Sequence, residues 1–175
     1  MAIKDQIEQI TNKLTHQIPS NAPLSAHLSN LVHLNREAAQ GFREASKKMD
    51  EAQDELLFKT YADQRERFAS VLQSYIDEDA QEEAPAYVKI AEDFVARAHR
   101  VWMSLQASLS DSKLRAMLKE CSRGDEAILS SYDLAIKASA SKSEVHDRLT
   151  NQRADIRAVH DTLARLIKEH TETNA

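Results

Sequence analysis

Four polar residues interrupt otherwise apolar helical stripes: Asn35, Gln64, Asp125 and Gln152. Each falls near the middle of a segment whose apolar residues recur at spacings of three and four. A buried polar side chain without a partner costs about 1–3 kcal/mol, so four scattered at random would be expensive, whereas four at one level can satisfy one another. The chemistry such a level can carry is a carboxylate-held pair of metal ions. In a helical bundle that takes one Glu from each of two helices and a Glu-x-x-His pair from each of the other two, because positions i and i+3 share a helix face. Here Gln64-Arg65-Glu66-Arg67 and Gln152-Arg153-Ala154-Asp155 stand where the pairs would be, and Asn35 and Asp125 where the lone carboxylates would be. Arg67 and Asp155 take the histidine positions, and amides take three of the four carboxylate positions. An amide is a poor ligand for iron and an arginine is none.

Two readings follow. In the first, Asn35, Gln64, Arg67, Asp125, Gln152 and Asp155 are the vestige of a metal site, hydrogen-bonded to fix helix register, with no metal and no catalytic residue expected. In the second, iron or manganese binds a divergent set of Asp125, Asp155 and either Glu66 or Glu126, with an oxidase or peroxidase type of activity. Elsewhere, His33 and Glu37 at i and i+4 could clamp a surface metal but read as solvated, being off the apolar seam. His99 beside Trp102 reads as a packing residue, and His160 as a hydrogen-bonding residue at the rim of the core. Cys121 lies on a core stripe and reads as a buried, inert thiol. The runs Arg65-Glu66-Arg67 and Glu82-Glu83 read as solvated faces. No Gly-rich phosphate loop occurs, and nothing points to a small-molecule substrate.

The elements that must position these residues are helices. One stripe runs Ile3, Ile7, Ile10, Leu14 and stops at Pro19-Ser20-Asn21-Ala22-Pro23. The next runs Leu28, Leu31, Asn35, Ala38, Phe42, Ala45, Met49; a third runs Leu57, Tyr61, Gln64, Phe68, Val71, Tyr75. Pro85 opens a fourth, Val88 to Leu109, which contains Trp102. The last two are Leu114, Leu118, Cys121, Asp125, Ile128, Tyr132, Ala135 and Val145, Leu149, Gln152, Ile156, Val159, Leu163, Leu166. Asp50 with Gln53 and Ser141 with Glu144 read as capping boxes, and Ser110 with Asp111 as a further cap. Short turns make two antiparallel hairpins, and the Trp102 segment makes a long crossover between them, which is the ferritin-like layout. The hairpins also match weakly, Phe42 and Ala45 with Tyr132 and Ala135 at 90 residues and Asp63-Gln64-Arg65 with Asn151-Gln152-Arg153 at 88.

Composition agrees with an all-α chain. Two glycines and three prolines in 175 residues leave room for long helices and almost none for hairpins of strands. A net charge of −5 argues against nucleic acid or an anionic membrane as partner. No apolar run approaches the roughly 20 residues of a membrane span, and a signal-peptide pattern is missing. The single cysteine excludes an internal disulfide and suits the cytoplasm. The expected organisation is an amphipathic helix over residues 1–20 and a bundle over 24–172. The first of these, marginal alone in water, packs on its own bundle or on a second subunit, which makes a homo-oligomer the expected state.

The segments Leu34-Asn35-Arg36-Glu37, Gly41-Phe42-Arg43-Glu44-Ala45, Gln64-Arg65-Glu66-Arg67-Phe68-Ala69, His99-Arg100-Val101-Trp102-Met103 and Glu120-Cys121-Ser122-Arg123-Gly124-Asp125-Glu126-Ala127 come in this order along the chain. Together they resemble a bacterial family of ferritin-like four-helix bundles catalogued as a domain of unknown function. The resemblance covers about residues 24 to 168. It implies the bundle fold and brings no assigned activity, cofactor or partner.

Overall fold

The computed structural model describes residues 18–49, 52–79 and 113–172. They form four α-helices and contain no strand: α1 (Leu24–Ser46), α2 (Ala52–Asp79), α3 (Lys113–Ala138) and α4 (Ser143–Glu172). The N-terminal stripe from Ile3 to Leu14, the Trp102 segment with His99, and the capping residues Asp50, Ser110 and Asp111 lie outside the described residues.

Local chemistry sets the helix ends. The 19–23 break is a turn closed by Ala22 N–H to Pro19 C=O at 2.9 Å, and Pro23, held extended at ψ 152°, starts α1 by accepting from Ala26 N–H. At the far end of α1 the Ser46 hydroxyl bonds Arg43 C=O, while Lys48 N–H closes on Ala45 C=O, so that the last carbonyls keep partners as the chain turns. Past the end of α3, Ser139 N–H reaches back to Ala135 C=O, and His146 Nδ1 sits 3.2 Å from Ile136 C=O. The Ser139 hydroxyl donates to the same Ile136 carbonyl at 2.9 Å, so the end of α3 is closed by the turn that follows it. The Ser141–Glu144 capping box does not form: α4 starts after Lys142, which accepts from His146 N–H, and Glu144 instead accepts from the Tyr75 hydroxyl at 3.1 Å.

Contacts fix how neighbouring helices run. Between α3 and α4, Tyr132 meets Gln152 and Ser122 meets His160, so numbers fall along one helix as they rise along the other. All four helices contribute to each of two apolar clusters. The first holds Leu28 and Leu31, Leu72, Ile128 and Leu129, and Leu149 and Ile156. The second holds Phe42, Phe58, Leu118, Val159 and Leu163, with the Phe42, Phe58 and Tyr61 rings meeting at 5.6–6.3 Å in tilted or edge-on pairs. Each large side chain so buried contributes about 1.5–3 kcal/mol.

Three helices bury the face their stripes mark out. The inner face of α2 does not follow the stripe Leu57, Tyr61, Gln64, Phe68, Val71, Tyr75. It is Phe58, Ala62, Arg65, Ala69, Leu72, one residue further along, and the expected residues are only half-buried beside it. Ala62 and Ala69 present no bulk, so α2 can approach α1 closely, and the larger residues on either side cover the seam.

Candidate functional site

Between the two apolar clusters lies a polar level in two separate parts. In the first, Asn35 of α1 donates through Nδ2 to Leu31 C=O at 2.8 Å and to the Tyr132 hydroxyl of α3 at 3.0 Å. Tyr132 in turn donates to Gln152 Oε1 of α4 at 2.8 Å. One phenol thus joins three helices. Burial pushes the Tyr132 hydroxyl well above its ordinary range, against the pull of the Asn35 bond and the Arg65 charge, so the network stays neutral.

The second part is charged. Arg65 of α2, with 0% of its side chain exposed, donates from Nη2 to Asp125 Oδ1 of α3, itself 1% exposed, at 2.7 Å. The guanidinium carbon lies 5.8 Å from the centre of the Phe42 ring, within reach of a cation–π contact. Burial pushes the Asp125 carboxyl up to about 6, and the Arg65 guanidinium, then His160, act in the opposite direction. Removing two charges from water costs several kcal/mol per ion, offset only where the remaining polar atoms find bonds. Among the described residues, Arg65 Nε and Nη1 and Asp125 Oδ2 have no partner, and neither do Asn35 Oδ1 and Gln64 Oε1.

Around this pair, His160 places Nδ1 3.2 Å from Ser122 C=O and Nε2 3.9 Å from Glu126. Cys121 is partly buried; burial first, then the carboxylates of Asp125 and Glu120, hold its thiol protonated, which is the reverse of what a nucleophile needs. His27, which no stripe marks out, is 2% exposed, its Nε2 has no partner among the described residues, and burial lowers its pKa.

The two parts are counterparts. Buried positions of α1 and α3 correspond at 90 residues: Leu28 with Leu118, Asn35 with Asp125, Phe42 with Tyr132, Ala45 with Ala135. Those of α2 and α4 correspond at 87 rather than 88: Phe58 with Val145, Ala62 with Leu149, Arg65 with Gln152, Ala69 with Ile156, Leu72 with Val159. Asn35–Tyr132–Gln152 on one side therefore answers to Asp125–Phe42–Arg65 on the other. Where Tyr132 supplies a bridging hydroxyl, Phe42 supplies only a ring, and Arg65 spans to Asp125 directly. The outer ion pairs obey the same correspondence with the signs exchanged. Arg43 meets Glu66 at 3.1 Å, and Arg153 grips Asp133 through two bonds of 2.7 and 3.1 Å.

Of the six residues expected in the level, Asn35, Asp125 and Gln152 are buried in it, and Gln64 is half-buried with Oε1 enclosed. Arg67 and Asp155 are exposed on outer faces and do not join them. Arg65, read from the sequence as part of a solvated run, is instead the largest fully buried side chain among the described residues, and Tyr132 is the joint of the neutral network. Glu66 is partly exposed and engaged by Arg43, and Glu126 is 63% exposed. Among the described residues no three His, Cys, Asp or Glu side chains gather closely enough to hold a metal ion. His33 and Glu37 are half-buried rather than fully solvated.

The described residues thus form an all-α arrangement of four packed helices whose centre holds one buried ion pair and one neutral hydrogen-bond network. The chain belongs to the family described as Domain of unknown function (DUF2383), which matches residues 24–139 and so takes in α1, α2 and α3. No curated protein and no solved structure matches it. No helix among the described residues is long and apolar enough to cross a membrane.

Proposed function

We propose that the chain is a ferritin-like antiparallel four-helix bundle, with the segment between α2 and α3 as its crossover, whose metal level has become structural. On this reading it is a non-catalytic structural or interaction protein of the cytoplasm. It associates with itself through the amphipathic segment of residues 1–20, outside the bundle of 24–172. The observation that carries the reading is Arg65. A permanent cation sits, fully buried, against the one buried carboxylate of the level, where a di-metal centre would need several anionic ligands. The hydroxyl and amides of Tyr132, Asn35 and Gln152 are bonded to one another, which supports a role in fixing register.

Elemental analysis of the purified full chain tests this, with sedimentation on the same sample. The expected result is no stoichiometric metal and a mass above that of the monomer, falling to the monomer when Ile7 and Ile10 are both changed to Asp. Iron or manganese at about one or two ions per chain, with oxygen or peroxide turnover, would establish the competing metal-binding reading. An unchanged monomeric mass would remove the self-association.

A further inference from the structure

We infer that the Arg65–Asp125 pair is a binding site for internal water, held between the two apolar clusters as part of the folded protein. A guanidinium and a carboxylate that meet edge to edge make two parallel bonds. This pair makes one, from Nη2 to Oδ1. Three polar atoms around that contact, Arg65 Nε, Arg65 Nη1 and Asp125 Oδ2, are buried and have no hydrogen-bond partner among the described residues. The Phe42 ring beside the guanidinium has no hydroxyl to offer, unlike its counterpart Tyr132 in the neutral network. An atom left without a bond is costly, more so when charged, so three together weigh heavily against a fold that is only marginally stable.

The same atoms state what the guest must be. Two are donors and one is an acceptor, so the guest both accepts and donates. The pair is neutral as a whole, so a charged guest would leave an uncompensated charge in the interior. A buried water makes about three hydrogen bonds, which suits this set. Asn35 Oδ1, unpartnered in the adjoining network, adds a further acceptor to the same level. The inference does not depend on the ferritin-like reading.

A crystal structure of the full chain at a resolution that orders solvent tests it, alongside the Arg65→Met/Asp125→Leu double variant. The expected result is solvent within hydrogen-bond reach of Asp125 Oδ2 and of Arg65 Nε or Nη1 in the natural chain, lost in the variant. A guanidinium turned into a two-bond contact with no solvent beside it would overturn the inference, as would a metal or an anion in that position. Should the variant fail to fold, NMR of the natural chain decides. Water held in place gives NOE and ROE cross-peaks of opposite sign at the Arg65 Nε–H, and their absence removes the site.

Discussion

The polar level solves one problem twice, and the two solutions differ in kind. On one side Tyr132 links Asn35 and Gln152 through neutral bonds, each group giving or taking at ordinary distance. On the other, the corresponding positions carry Phe42, Asp125 and Arg65, and the loss of one hydroxyl goes with the appearance of two charges. A neutral bridge leaves few atoms unbonded and has little to gain or lose with pH. A charged pair under an apolar ring concentrates the unbonded atoms and makes the carboxyl titrate near neutrality. The neutral side fixes position at low cost, and the charged side is where stability can be moved.

The largest effect should come from splitting the ion pair. Arg65→Met leaves Asp125 buried without its partner and should cost about 3–5 kcal/mol in denaturant unfolding at neutral pH. Replacing both, as in Arg65→Met/Asp125→Leu, should restore most of the loss or exceed the natural stability, since apolar groups of similar volume need no partners. If the double variant is as unstable as the single one, the two halves are alike in kind and the contrast fails.

Next comes pH. The folded Asp125 carboxyl sits near 6, above its ordinary 3.8, so folding takes up a proton between those values. Its contribution is fully present below about 3.8 and is lost as pH rises through about 6, a change of up to about 3 kcal/mol. Stability of the natural chain relative to Asp125→Asn should therefore fall over that window and level off above it; a flat difference from pH 4 to 7 would refute the assignment.

Tyr132→Phe, which copies the charged side's ring onto the neutral side, should cost about 1–3 kcal/mol by leaving Asn35 and Gln152 without their bridge. Calorimetry would show it, and a loss of less than about 0.5 kcal/mol would mean that the amides pair directly. Smallest are the outer pairs. Arg43→Ala or Asp133→Ala should each change stability by less than about 1 kcal/mol, and the change should shrink in high salt.

Much of this was legible in the sequence. The faces of α1, α3 and α4 follow their stripes, and Asn35, Asp125 and Gln152 stand out because each breaks a run of apolar neighbours at regular spacing. The face of α2 was not legible for the same reason in reverse. Size favours the large apolar residues for the inside, but Leu57, Tyr61 and Phe68 flank the seam, while Ala62 and Ala69 occupy it. Once that face is shifted by one residue, Arg65 turns inward, and no rule of composition places an arginine there ahead of its solvated neighbour Arg67. The signal that marks it is the spacing Phe58, Ala62, Arg65, Ala69, Leu72, which is as regular as that of Leu57, Tyr61, Gln64, Phe68, Val71. Asp155 illustrates the converse: three residues after Gln152 it falls on the flank of α4, exposed.

The exchanged signs of the outer ion pairs bear on how the chain finds its own partners. In the native arrangement Arg43 of α1 faces Glu66 of α2, and Asp133 of α3 faces Arg153 of α4. Were α1 to take α4 as its hairpin neighbour in the equivalent register, Arg43 would confront Arg153; were α3 to take α2, Asp133 would confront Glu66. Two halves alike enough in their apolar faces to trade helices are thus told apart by polarity at the rim. A pair worth little to the finished fold can still steer assembly, because a like-charge meeting penalises the wrong partner while the right one is forming.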